Sequence, residues 1–459
     1  MFSAPTYIER RKLLKEKVGS GIIVLLGNDE SSINFKDNWY HYRQDSSFLY
    51  FFGISLPGLT GLINCDTGEE IIFGDELTID HIVWTGPQPT IKQLAQKCGV
   101  NTTSPTRKIT ESLNGLVHYI PPYRTDNQLK LSEWLGSPMN MISTGASVEL
   151  IQAIVSLRSY KSAEEIVEIE KAVNITAAMH LGAMQYTKEG MVEAEVVGKI
   201  QHLATSGGGY LSFPVIFSKD GQILHNHYHG NRIKDGDMVL CDTGAETDMG
   251  YAGDMTRTFP VGSQFTQRQR ELYQITLNAH EAAIAALKPG VKYRDVHLLA
   301  CRTLVEGLSD VGLMKGDIDE ALDARAHTMF FQCGLGHMMG LDVHDMEDLG
   351  EQYVGYCEPK SAEFGLKSLR LGKELEKDFV ITVEPGIYII PALIDMWKAE
   401  NKCTDFINYE ILETYKDFGG IRIEEDFVIT DDGSRLLGTP VAKTIQDIER
   451  VRTESLNLA

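Results

Sequence analysis

DGDMVLCDTGAETDMGYAGDMTRTFP, residues 235–260, places two acids where an apolar strand would normally continue inward. Met238, Val239 and Leu240 form a buried-looking run that ends on Asp242. Thr243-Gly244-Ala245 turns the chain, and a second extended run passes through Asp254 and closes at Pro260. Burying an ionised carboxylate is costly unless a cation or several donors compensate it. Two acids twelve residues apart, on strands joined by a tight turn, can sit side by side as carboxylates sharing metal ions do. Asp beside Gly is equally ordinary turn chemistry, so the stretch alone leaves both readings open.

The rest of the composition narrows the class. A chain of 459 residues allows two or three domains, and 43% hydrophobic with 23% charged residues is the balance of a soluble globular protein. The net charge of −21, from 64 acidic and 43 basic side chains, argues against nucleic acid as a partner, since phosphate backbones select basic surfaces. No apolar run reaches the roughly eighteen residues a membrane span requires, and MFSAPTYIERRKLLKEK lacks the apolar centre of a signal peptide. Seven scattered cysteines with no CxxC pair read as reduced thiols, which places the protein in the cytoplasm. The sequons at Asn101 and Asn174 are then chance matches.

The pattern predicts an α/β (α+β) protein of two domains, 1–158 and 159–459. In the first, Tyr7–Lys17 is helical and Ile22–Leu26 is a strand. The aromatic-rich YRQDSSFLYFFGI (42–54) is expected to be part strand, and Gly61–Asn64 with Glu70–Phe73 flank Asp66-Thr67-Gly68 as a hairpin. No catalytic cluster is visible there, so a structural or oligomerisation role is expected. In the second, Ser162 with Glu165 forms a capping box that starts a helix to about Thr187. Another helix begins near Glu193 and stops at Gly207-Gly208-Gly209. Strands are expected at Ser212–Phe217 and Ile223–His225. A second capping box, Thr266 with Gln269, opens a helix that ends before Lys288-Pro289-Gly290, and a further helix covers about 293–308. The chain then closes in strands at Phe379–Val383 and Ile421–Ile429, giving two coarse helix-then-strand halves.

Three further segments put polar residues inside or at the ends of apolar runs: GLGHMMGLDVHD with His337 and His344, VITVEPGIYII with Glu384, and GGIRIEEDFVIT with Arg422 and Glu424. Strand periodicity sets Arg422 and Glu424 on one face. Asp242, Asp254, His337, Glu384 and Glu424 together make four carboxylates and one imidazole, a set suited to Mn2+ or a similar ion and unlike the Cys/His set of structural zinc. Four carboxylates also balance two divalent ions in charge. Taken singly, His337 on a Gly-rich loop reads as structural, Glu384 before Pro385-Gly386 as a turn residue, and Glu424-Glu425-Asp426 as a solvated edge. Taken together, those readings require five unrelated accidents in strands that otherwise look buried.

In order and spacing, ILH at 223–225, DTGAE at 242–246, GD at 253–254, GLGHMMGLDVHD at 334–345, VEPGIY at 383–388 and GGIRIEED at 419–426 resemble the pita-bread metallopeptidases, in the branch of aminopeptidase P and prolidase. The likeness covers about 160–459, and YRQDSSFLYFFGI resembles the N-terminal domain of that branch. The resemblance implies a catalytic pita-bread domain that hydrolyses the bond between an N-terminal residue and proline. It implies two divalent ions, Mn2+ first with Co2+ or Zn2+ as alternatives, and assembly as a homodimer or homotetramer. It makes Asp242, Asp254, His337, Glu384 and Glu424 the metal ligands, Asp254 and Glu424 bridging. His225 would donate to the scissile carbonyl, His344 would assist the intermediate or move protons, and Glu384 would also carry a proton. Arg422 would buttress Glu424 and Tyr388 would line the pocket. Cys333 departs from the pattern, which has His four residues before the ligand His, and that puts one substrate contact in doubt.

The resemblance leaves two subtypes. His225 and the N-terminal stretch favour aminopeptidase P. The stretch GLKSLRLGKELEKDFVITVEPG, with Arg370 as a carboxylate-binding residue, and the insertion between Tyr388 and Gly419 favour the Xaa-Pro dipeptidase prolidase. A metal-free creatinase-like hydrolase or a non-catalytic binding module of the same fold would be expected to have lost ligands that this sequence keeps.

Overall fold

The computed structural model describes residues 1–457; the last two residues of the expected 159–459 domain lie outside them. The chain divides into two units. One comprises Met1–Tyr160 together with Met346–Val354, and the other Lys161–Asp345 and the chain from Gly355 onward.

The first unit is built on a five-stranded sheet. Its order is Thr102–Ser104, Glu70–Phe73, Thr60–Asn64, Ile22–Leu26, Val117–His118. The hairpin pairs Thr60–Asn64 antiparallel with Glu70–Phe73, as the turn signal at 66–68 requires. Ile22, Val24 and Leu26 point to one face, where they meet Leu62, Ile71, Phe73, Leu131 and Ile142. Arg11, fully buried on the helix Ala4–Val18, donates to Glu70 Oε2 at 2.8 Å and to the carbonyls of Phe51 and Cys98. The stretch expected to be part strand is instead the helix Ser46–Phe52. Local capping overrides its aromatic strand propensity: Asp45 accepts the Phe48 N–H at 2.8 Å, and Gly53 closes the helix in the left-handed region.

The second unit repeats one plan twice. The helices Ala163–Tyr186 and Glu193–Ser206 precede an antiparallel sheet ordered Thr256–Pro260, Met238–Asp242, Ile216–Ser218. The helices Gln267–Ala286 and Tyr293–Asp310 precede a sheet ordered Val380–Val383, Glu425–Ile429, Ser434–Leu436. Both expected capping boxes are present: Ser162 Oγ accepts the Glu165 N–H, and Thr266 Oγ1 accepts that of Gln269. Among the described residues, a bridge from Thr256 to Glu424 links the two sheets. Three strand expectations need correction. Ser212–Phe217 is a strand only from Ile216 onward, where Ile216–Ser218 pairs with Met238–Asp242, because Pro214 has no N–H to give a ladder. Ile223–His225 is a turn, initiated by the Ile223 N–H to Asp220 O bond. Ile421–Ile429 is broken into Gly420–Arg422 and Glu425–Ile429, because Glu424 leaves one ladder to bridge Thr256.

Lys161 and Asp345 form a buried ion pair at 2.9 Å in this unit. It fixes the loop that carries His337 and His344, and Gly340 is required beside it. A Cβ there would stand 2.6 Å from Asp345 Oδ2 and 2.8 Å from Lys161 Cε.

Candidate metal centre and substrate pocket

Each of the five acidic or imidazole side chains sits where a strand stops. Asp242 ends Met238–Asp242, Asp254 precedes Thr256–Pro260, and His337 precedes the Met338–Ile381 bridge. Glu384 follows Val380–Val383, and Glu424 lies in the break before Glu425–Ile429. Strand ends combine a rigid Cα position with side chains free of the ladder, so groups far apart in sequence can converge.

They do converge. Donor atoms of Asp254, His337 and Glu424 lie within 4.8 Å of one another. Glu384 Oε1 is 3.6 Å from His337 Nε2, and Asp254 Oδ2 is 3.5 Å from it. All five residues line one cavity of about 560 Å³. His337 Nδ1 lies 3.0 Å from Met338 O, so Nδ1–H donates there and Nε2 faces the two carboxylates. Asp254 Oδ1 is buried without a hydrogen-bond partner. Burial raises the carboxyls of Asp254, Glu384 and Glu424 well above their ordinary range. For Asp254 the nearby Asp242 adds to the rise. For Glu424, Asp254 and Glu384 add to it. A cluster of acceptors with an orphaned carboxylate oxygen and too few internal cations fits divalent ions held by oxygen donors and one imidazole.

The remaining sequence candidates fall around this cluster. Arg422 pairs with Asp242 Oδ2, donates from Nη1 to Tyr388 Oη at 2.9 Å, and donates from Nε to Thr256 Oγ1 at 3.0 Å. His344 packs edge-on to His337, with ring centroids 4.3 Å apart. His225 and Arg370 also line the cavity. Burial, and then Arg422, lower the His225 pKa below its ordinary value. Tyr388 does not line the cavity. It is fully buried, because its hydroxyl is the acceptor that the Arg422 guanidinium needs behind the wall. Cys333 does reach the cavity, with its thiol 3.8 Å from Tyr388 Oη.

Two contributors were not singled out from the sequence. Thr256 Oγ1 receives the Arg422 Nε–H and therefore spends its own hydrogen on Glu424 Oε2, 2.7 Å away. Asp426 Oδ2 accepts the Asp254 backbone N–H at 3.2 Å. The consecutive polar residues Thr256, Arg257 and Thr258, all buried in one strand, are the available signal for the first.

Comparison with known proteins agrees with this geometry. Residues 167–431 match the model of metallopeptidase family M24, and residues 7–120 match the aminopeptidase P N-terminal domain. The chain belongs to metallopeptidase family M24, in its aminopeptidase P and prolidase branch. It is 32% identical to the Xaa-Pro aminopeptidase of Escherichia coli strain K12, over 97% of both chains. It is also 32% identical to the human Xaa-Pro dipeptidase, over 93% of this chain and 88% of the human one. The structure of E. coli aminopeptidase P with the inhibitor Pro-Leu superposes with a TM-score of 0.82 at 30% identity, covering 99% of each chain. The Pseudomonas aeruginosa aminopeptidase PepP gives the same TM-score at 27% identity and the same coverage. The fold is thus the pita-bread fold behind an N-terminal α/β domain.

Proposed function

We propose that this protein is an Xaa-Pro aminopeptidase, releasing an N-terminal residue from a following proline. The observation that carries this reading is the acceptor cluster of Asp254, His337, Glu384 and Glu424 in a cavity that His225 also lines. Similarity to the E. coli enzyme along nearly the whole of both chains supports it. Two divalent ions, Mn2+ before Co2+ or Zn2+, would be held by Asp242, Asp254, His337, Glu384 and Glu424, with Asp254 and Glu424 shared. When bound, such ions supply a nucleophilic water and polarise the scissile carbonyl.

The chain's own groups do the rest. His225 donates an N–H to the carbonyl oxygen as it gains charge. Proline's nitrogen has no hydrogen in the peptide and must be protonated as it leaves, and Glu384 moves a proton from the attacking water to it. His344, against His337, assists that proton movement. Arg422, held by Tyr388 and Thr256, fixes the orientation of Asp242. Arg370 meets a carboxylate of the bound peptide.

A second reading, Xaa-Pro dipeptidase, is favoured by Arg370 at the cavity wall and by the similarity to the human dipeptidase. Kinetics on Xaa-Pro and Xaa-Pro-Xaa peptides with Mn2+ separate the two. We expect turnover of the tripeptide, and turnover restricted to the dipeptide would replace the first reading with the second.

We further infer a homodimer or homotetramer. On the helix Ile79–Thr85, which buries none of its residues, Ile79, Val83 and Trp84 are 71%, 72% and 87% exposed. Sedimentation as a monomer alone would contradict this. A cytoplasmic location is supported by seven cysteines that form no disulfide. Among the described residues no helix is long and apolar enough to cross a membrane.

A further inference from the structure

Glu193 is the first residue of the helix Glu193–Ser206 and is fully buried. Its carboxylate accepts four hydrogen bonds. Oε1 takes the Ser218 hydroxyl at 3.1 Å, the Lys219 N–H at 2.9 Å and Asn231 Nδ2 at 3.2 Å, and Oε2 takes the Asn231 N–H at 3.3 Å. These donors stand at the two ends of one loop, 219–231. His225 and His227, on that loop, line the cavity.

The directions of the bonds extend the clasp to the neighbour of His225. Ser218 gives its only hydroxyl hydrogen to Glu193, so its lone pairs receive Asn226 Nδ2 and the Asp220 N–H, both at 3.0 Å. Asn226 Oδ1 in turn accepts the Tyr228 N–H at 3.0 Å. A continuous path therefore runs from Glu193 through Ser218 to Asn226, beside His225. The loop also returns contacts to the helix, since the N–H groups of Glu193 and Ala194 donate to Asn231 O and His229 O.

Helix capping does not account for this acid. The Val192 N–H is already taken by Glu195 Oε2 at 2.7 Å, on the exposed side. A carboxylate taken wholly out of water is retained where donors converge on it, and here they converge from the loop. None of the five candidate metal ligands lies on the loop or touches Glu193.

We propose that Glu193 is a positioning residue, which holds His225 in place through Ser218 and Asn226. This rests on the role given to His225 above. Glu193→Gln puts an N–H group against donors and should free the loop. Ser218→Ala breaks the middle link with a smaller change to the fold.

Two measurements decide it. In the full-length protein, hydrogen exchange of the 219–231 amides should accelerate in both variants, while exchange in the helix Gln267–Ala286 and the Mn2+ binding isotherm stay unchanged. On an Xaa-Pro-Xaa peptide, kcat/KM should fall ten- to a hundredfold, on the order of the cost of misplacing a catalytic group by about 1 Å. In a His225→Ala background the same substitutions should cost little more. Unchanged exchange at 219–231, or an equal loss in both backgrounds, overturns the proposal. If His225→Ala itself retains full activity, the role of His225 fails, and the exchange result still decides whether Glu193 holds the loop.

Discussion

Glu424 and Glu425 are consecutive, equally buried at 2% exposure, and live in opposite surroundings. Glu425 faces cations. Arg257 Nη2 is 2.6 Å from it and Lys443 Nζ 2.8 Å, while burial pushes the His280 ring, 4.0 Å away, down to about 3 and leaves it uncharged. Burial alone would raise the Glu425 carboxyl, but the cations beside it, Arg257 first, hold it below the ordinary value. Glu424 faces acids: burial raises its carboxyl, and Asp254, Glu384 and Asp242 raise it further. A strand alternates its faces, so one step along the chain separates an acid matched by Arg257 and Lys443 from one set among other acids, with Arg422 the cation that opposes the rise. Burial of a charge thus has two meanings here. Where the protein supplies the counter-charge, the acid serves the fold; where acids outnumber cations, the set is suited to holding divalent ions.

Substitution should separate those meanings. Glu424→Gln is expected to lower kcat/KM on the order of a thousandfold or more. It should also abolish the rise in Tm that Mn2+ gives the parent, while the metal-free protein keeps or gains stability, since one buried like charge is gone. Preserved Mn2+ binding in this variant would break the contrast. Glu425→Gln should do the reverse. It leaves Arg257 and Lys443 poorly matched, at a cost of about 3–5 kcal/mol by denaturant unfolding, while the protein that remains folded still binds Mn2+. A fully stable Glu425→Gln variant would show that the pairing with Arg257 and Lys443 does not serve the fold.

His297 sharpens the contrast as a buried group with neither kind of partner. Burial, then His327 and Arg325, push its pKa down to about 3. Because the folded value lies below the unfolded value near 6.5, the unfolded chain binds more protons in that window. Stability is therefore present above about pH 6.5 and drains away as pH falls toward 3. His297→Asn should spare about 1 kcal/mol of the loss between pH 7 and pH 5.5, read from urea midpoints. An unchanged slope would move the acid sensitivity elsewhere.

These contrasts explain what the sequence could show. Asp242, Asp254, Glu384 and Glu424 were conspicuous because each interrupts an apolar run, and a misplaced charge is a local signal. The helices after Ser162 and Thr266 were equally local, because a capping box lies within four residues. Partners were not legible. The sequence singles out Glu424 but says nothing of what Glu425 meets, since the Arg257 guanidinium that takes its carboxylate is more than 160 residues away. Glu193 looked like any acid at a helix start, because its four donors lie 25 to 38 residues on. The helix at Ser46–Phe52 was mistaken because Asp45 and Gly53, its two terminators, outweigh seven residues of propensity.

Just after Asp345, whose ion pair with Lys161 steadies the His344 loop, the polypeptide leaves the catalytic unit for Met346–Val354 and then returns. The units are therefore joined by three peptide linkages, not one. A catalytic fragment started at Lys161 would still carry Leu349 and Val354, apolar side chains that are buried in the intact protein and whose unit would be missing. A separately made fragment would therefore need those two side chains replaced, or the excursion itself shortened.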